Sequence, residues 1–492
     1  MLTLRSTPTT ASSRTGRDES TRAFGWSVAA AIIGVHVLLG VGGAISSSVA
    51  TAHAIVTVAV TAPIMVFSKR PTWVVAAATY GGVCDVYWRM TRSQAPWEVS
   101  KYLLALGAVT LLIRYVREWR HGLVPILMIL VLVPGIVLSA LAEGIGFARE
   151  NASGYEMGLL SFALAALAFR HLIADRSEAW NLGWIAMGPL IAALGVTTHA
   201  LLTNPDIEFG SESNFAATGG YGPNQVSSTL GLITLFCVLL AFLPWARRLW
   251  PVLAGLGLWS LWATYLTFSR GGIYSLVAAG AAMLLVGITR RGARVKSLLM
   301  LGVTAVALVM VFASANDFSG NWLDSRYGDS QTAGRSTIAE MDLEVFAAHP
   351  ILGVGTGRSE QFRGQGRLAT AAAHTEFTRL LAEHGLLGVV ALALLAAMLV
   401  QSYRWGLSYW NRLAVVALSV WALTTMLHAA TRIGAVSVML ALTQLRVTDD
   451  LPERSLQSLP DFRQTVWANR IRSADSTPSL PDSALDPGTP SS

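Results

Sequence analysis

"FGWSVAAAIIGVHVLLGVGGAI", residues 24–45, contains no Asp, Glu, Lys or Arg. At about 1.5 Å of rise per residue, a helix of this length covers a hydrocarbon core of roughly 30 Å. A polar stretch of more than twenty residues precedes it and no convincing cleavage site follows, so it reads as a first membrane anchor and not as a removable leader. Comparable runs recur near 49–67, 72–88, 98–116, 122–145, 156–174, 181–202, 224–243, 251–269, 272–289, 297–315, 385–403, 413–431 and 433–446, which makes fourteen. Lipid offers the backbone no hydrogen-bond partner, so these runs should be helices; a barrel would show ten-residue alternation instead. The expected fold class is all-α: a polytopic transmembrane helical bundle of about 12–14 spans, with one large periplasmic or extracellular loop containing short helices.

Composition agrees. Hydrophobic residues make up 53% of the chain, charged ones 13%, and the mean hydropathy is +0.51, which excludes an ordinary soluble domain. Cys84 and Cys237, the two cysteines, both lie in apolar runs and suit small buried hydrophobes better than a disulfide or a zinc site. A net charge of +7 invites a nucleic-acid partner, but the basic residues sit between spans, where topology accounts for them. No nucleic acid is read as a partner.

With the N-terminus in the cytoplasm, the short inner loops carry fifteen lysines and arginines and the short outer loops six: Arg89, Arg92, Lys101, Arg149, Arg270 and Arg432. That asymmetry obeys the positive-inside rule. The expected organisation is a disordered cytoplasmic N-terminus (1–23), eleven transmembrane helices (24–315), a large external loop (316–375), the C-terminal transmembrane helices (376–446) and a disordered cytoplasmic tail (447–492). Within the large loop, "RSTIAEMDLEVFAAH" spaces Ile338, Met341 and Val345 as one helical face.

Four stretches carry candidate chemistry. In "AAHTEFTRLLAEHGLLG", 372–388, Glu376, Arg379 and Glu383 share a polar stripe at about 100° per residue, while His374 falls on the apolar side, expected to face the bundle. A neutral imidazole there is a packed histidine or a general base. In "LTFSRGGIYS", 266–275, Arg270 reaches a membrane boundary, where it snorkels into headgroups or faces an anion. "GGYGPNQVSS", 219–228, puts Pro223 in a first helical turn with Asn224 and Gln225 at its positive end, as a cap or an anion site. "HPILGVGTGRSEQFRGQGR", 349–367, alternates glycines with Arg358, Arg363 and Arg367, a composition that grips phosphate oxygens or forms a solvated loop. There is no P-loop, no HExxH, no cysteine cluster and no carboxylate pair suited to a divalent ion. Neither a metal nor a cofactor is expected.

Taken together, "FSRGG" at a span end, "AGRSTIAEMDLEVFAAHPILGVGTG" (333–357) and "AHTEFTRLLAEHGLLG" (373–388) make the region from Gly220 to Gly388 resemble the O-antigen ligase and polymerase family of bacterial membrane glycosyltransferases. The resemblance implies transfer of a glycan from an undecaprenyl-diphosphate carrier to a hydroxyl of a glycan, lipid or protein acceptor, on the outer face of the bacterial plasma membrane. It further implies His374 and Arg270 as catalytic residues, with Arg270, Arg335 and Arg358 on the diphosphate, helped by Asn224 and Gln225. Arg363, Arg367, Glu376 and Arg379 would stand in support. The asparagine common after the histidine in such proteins is Thr375 here. The competing expectation is a transporter or flippase for a lipid-linked or anionic substrate, with His36, His53, Asp85, Glu143 and His428 lining a path.

Overall fold

The structure is a computed structural model describing residues 24–116, 122–205, 207–328, 335–364, 375–449 and 457–458, without the side chains of Arg335, Ala430 and residues 457–458. It is an all-α polytopic bundle. Ten helices among the described residues are long and apolar enough to cross a membrane, and each coincides with one of the fourteen runs. The other four runs fold differently from a plain span. Run 98–116 is Val99–Tyr115, 17 residues long with Lys101 buried inside it. Run 72–88 breaks into Pro71–Gly82 and Asp85–Met90, and the stretch from 413 to 446 becomes Tyr409–Met426, a 3-10 turn at Ala430–Arg432 and Gly434–Gln444.

The two breaks face each other. The Asp85 carboxylate accepts the backbone N–H of Gly434 at 2.8 Å, so an anion sits at the positive end of Gly434–Gln444. Apolar composition alone cannot reveal such a break, because the broken ends are satisfied by groups distant in sequence.

Arg176–Thr203, 28 residues long, is the central helix. It packs closely along Trp26–Ile45: a Cβ on Gly40 would lie 2.3 Å from the Ala192 carbonyl oxygen, so only a small residue permits this approach. A capping box starts the helix, with Asp175 Oδ1 accepting from Glu178 N at 2.8 Å and Glu178 Oε2 from Asp175 N at 3.1 Å. Asp175→Ala should cost about 1 kcal/mol, read as a lower melting temperature of the detergent-solubilised chain; an unchanged melting temperature would show that the cap is dispensable.

Hydrogen bonds between residues distant in sequence sort the helix ends into two sets. Arg114 donates to the Val66 and Ser68 carbonyls, Thr72 to Glu178, and Asn411 to the Leu445 carbonyl at one end. There a short parallel strand pair, Leu172–Ala174 with Arg446–Val447, adds the sheet that composition did not suggest. The other set joins residues 85–98, 143–156, 211–224, 267–270, 326, 353–364, 375–384 and 428–434, and it holds the polar groups described next.

Candidate functional site

Two helices begin side by side in this second set. Pro223 occupies the first turn of Pro223–Leu240, where its missing N–H costs nothing. Arg270–Thr289 starts after Phe268, which is held at φ 55°, and after Ser269. Ser269 Oγ donates to Asn224 Oδ1 at 2.7 Å, Ser227 Oγ donates to Ser269 Oγ at 3.0 Å, and the Gly272 N–H donates to Ser227 Oγ at 3.2 Å. A Cβ at Gly272 would sit 2.3 Å from the Ser227 backbone, so glycine is required for the two first turns to meet. The result places half-buried Arg270, Asn224 and Gln225 at two neighbouring positive helix ends, an arrangement that favours an anion.

Arg326, which composition did not single out, fastens this corner. Its Nε donates to the Phe268 carbonyl at 3.0 Å, one terminal nitrogen to the Ser211 carbonyl at 2.7 Å and the other to Ser213 Oγ at 3.3 Å. The guanidinium thereby ties residues 211–213 to the approach to Arg270.

The glycine-rich stretch is closely packed. Gly353 and Gly355 adopt positive φ; Val354 N donates to the Ala382 carbonyl and Gly355 N to the Glu383 carbonyl, while Thr356 N reaches the Gly135 carbonyl. Its glycines thus let the backbone lie against two helices. Of its arginines, Arg358 Nε stands 3.3 Å from Glu143 Oε1, and Arg363 forms a buried pair with Asp342 at 2.8 Å, joined by the Thr378 hydroxyl. Burial pushes the Asp342 carboxyl above the usual range, and Arg363 opposes the shift.

Glu376–His384 corrects one expectation: its charged stripe faces inward. Glu376, Arg379, Glu383 and His384 are all buried, whereas Phe377 and Leu381 are half-buried. Arg379 binds three carboxylates, Glu156 Oε1 at 2.9 Å, Glu376 Oε1 at 2.5 Å, and Glu383. His384 Nε2 lies 3.1 Å from Glu156 Oε1, and Thr431 donates to Glu376 through both its N–H and its hydroxyl. Burial works against the Arg379 charge but Glu376, Glu383 and Glu156 outweigh it, so its pKa stands well above the ordinary value; burial raises that of Glu383 against the pull of Arg379. Glu156, Glu383 and His384 offer ligand atoms within 4.8 Å of one another, a grouping that could hold a cation, and the guanidinium already supplies positive charge beside it.

Glu156 and Tyr155 end a π-helical turn, Ala152–Glu156. A lone glutamate at the edge of an apolar run was the available signal for Glu156, since a carboxylate there requires a partner. His384, adjacent to Glu383, carried no separate signal.

The structure therefore brings Arg270, Asn224 and Gln225 together, sets Arg358 and Arg363 against Glu143 and Asp342, and embeds Glu376 and Arg379 in the buried cluster. Arg335 opens the helix Arg335–Ala348, whose Ile338 and Val345 are buried as the spacing required. Arg367 and His374 lie outside the described residues. Arg89 links the two groups, donating to the Tyr221 hydroxyl at 3.0 Å and to the Arg432 carbonyl at 3.1 Å. Of the residues read as a possible transport path, His36 and His53 meet the Tyr80 hydroxyl at 3.0 Å, Glu143 meets Arg358, His428 meets Ser275 at 3.1 Å, and Asp85 accepts from Gly434 through one of its two carboxylate oxygens.

Fold and site together define a multi-pass helical membrane protein that collects its polar machinery at one set of helix ends. Residues 255–393 match the family model described as O-Antigen ligase, which bears out the resemblance read from the sequence. The matched segment begins in the helix leading to Arg270 and ends in Leu386–Trp405. No curated protein matches the chain, and no solved structure does.

Proposed function

We propose that the protein is a membrane glycosyltransferase of the O-antigen ligase or polymerase type. It moves a glycan from an undecaprenyl-diphosphate carrier to an acceptor hydroxyl at the outer face of the bacterial plasma membrane. The observation that carries this reading is the pair of adjoining helix N-termini with Arg270 and Asn224, inside or beside the segment that matches the family. A diphosphate suits such a place, since guanidinium and helix ends stabilise the charge that develops on it.

In this mechanism the acceptor oxygen attacks the anomeric carbon and the bond from that carbon to the phosphate oxygen breaks. The bonding pair leaves with the lipid diphosphate, beside Arg270, while His374 takes the hydroxyl proton. Arg335 and Arg358 assist at the diphosphate, and neither a metal nor a nucleotide sugar takes part. The positive-inside pattern supports an exterior site, because the ends bearing Arg270 are the less basic ones.

The test is to incubate purified protein with a synthetic undecaprenyl-diphosphate oligosaccharide and a panel of glycan, lipid and protein acceptors, followed by mass analysis. A joined product and released lipid diphosphate are expected. Movement of the lipid-linked glycan across vesicles without joining would instead establish a flippase. Arg270→Lys should reduce product formation by about 10²-fold, because a lysine cannot make a bidentate contact; unaltered product would place Arg270 among the headgroups.

A further inference from the structure

Asp85–Met90 is followed by a turn back through residues 91–98 into Val99–Tyr115. Arg92 in that turn is held at φ 52°, a conformation costly for any residue with a side chain. Between the arms lies a cleft of about 260 Å³ walled by Asp85, Trp88, Arg89, Arg92, Pro96 and Trp97. That is slightly below the roughly 300 Å³ at which pockets for drug-sized ligands begin, and it suits one six-membered ring.

The chemistry of the walls is selective. Trp97 is 66% exposed, and the Arg89 guanidinium stacks 4.7 Å from its ring centre. Asp85 is only 2% exposed; its Oδ2 accepts from Gly434, but Oδ1 has no hydrogen-bond partner, and neither does Arg89 Nε. A buried carboxylate oxygen left unpaired is destabilising and calls for a donor. Phosphate cannot answer, since it brings acceptors and like charge to Asp85. A sugar ring can: its hydroxyls donate to Asp85 and accept from the arginines, while its C–H face lies on the exposed indole.

We propose that this cleft binds a single sugar ring and so selects the glycan that the protein handles. It lies beside the Arg270 corner, because Arg89 donates to the Tyr221 hydroxyl and the Trp97 ring meets Tyr221 edge-on at 6.4 Å, three residues before Asn224. It also lies outside residues 255–393, so it belongs to the part of the chain that the family model does not cover. Its role in glycan selection rests on the proposed transferase function; its affinity for sugar does not.

Binding is therefore tested apart from transfer. The full-length chain in detergent is titrated with glucose, galactose, rhamnose, N-acetylglucosamine and glucuronate separately, and saturation-transfer NMR reads each complex. At least one sugar should bind, and Trp97→Ala should weaken it about tenfold. Arg92→Gly, which relaxes the strained backbone, should weaken the same sugar while the protein melts no lower than the parent. If none of the five gives a signal that depends on Trp97, the proposal fails even if transfer activity is intact. If such a signal appears in a protein that never joins glycan to acceptor, the cleft stands and the transferase reading falls.

Discussion

His374→Ala protein should insert and melt like the parent while its glycan transfer falls by about 10²–10⁴-fold, the contribution of a positioned general base. The substitution precedes Glu376–His384 by two positions, and that helix is anchored by Arg379 and Thr431, neither of which it touches in sequence. Loss of activity without loss of fold is thus the outcome expected of a base. The assay is product formation from the synthetic lipid-linked oligosaccharide, compared at equal amounts of folded protein. Activity within about threefold of the parent, far short of the 10²-fold minimum, would remove the imidazole from the mechanism.

A second large effect is expected at Arg379, this time on stability. Arg379→Met leaves Glu156, Glu376 and Glu383 buried without their common cation. Breaking even one buried ion pair in this way costs about 3–5 kcal/mol, so the variant should give little folded protein and a sharply lower melting temperature in detergent. Adding Glu383→Gln to it removes one of the stranded charges and should recover part of the loss. A single variant that melts at the same temperature as the parent would mean that water or protons already compensate the carboxylates.

The bundle was legible in the sequence because a hydrocarbon solvent demands long uninterrupted apolar helices. Ten of the fourteen runs are helices long enough to span; of the other four, 98–116 is a shorter continuous helix and the remaining three hold the two breaks. Those interruptions escape a hydropathy reading because Asp85 and Gly434, which complete each other, are separated by most of the chain. The Arg270 motif and the amides after Pro223 could be noticed separately, yet only folding shows that Ser269 joins them. The stripe of Glu376, Arg379 and Glu383 shows how a rule fails when its premise changes. In water a charged face turns outward, but a helix embedded among others at a membrane boundary hides its charges against partners from elsewhere in the chain. Glu156 is that partner here, 223 residues before Arg379.

In a regular helix, consecutive side chains diverge by about 100°, so two neighbours seldom address one target. Tyr155 and Glu156 both do: the Tyr155 ring lies 5.2 Å from the Arg379 guanidinium and Glu156 binds it directly. The wide turn at Ala152–Glu156 takes more residues per turn than an α-helix, so neighbouring side chains there diverge by less and this convergence becomes geometrically accessible. Ile145–Asn151 and Met157–Phe169 consequently run out of phase with each other, and the chain is free to choose the face that each presents to its neighbours independently.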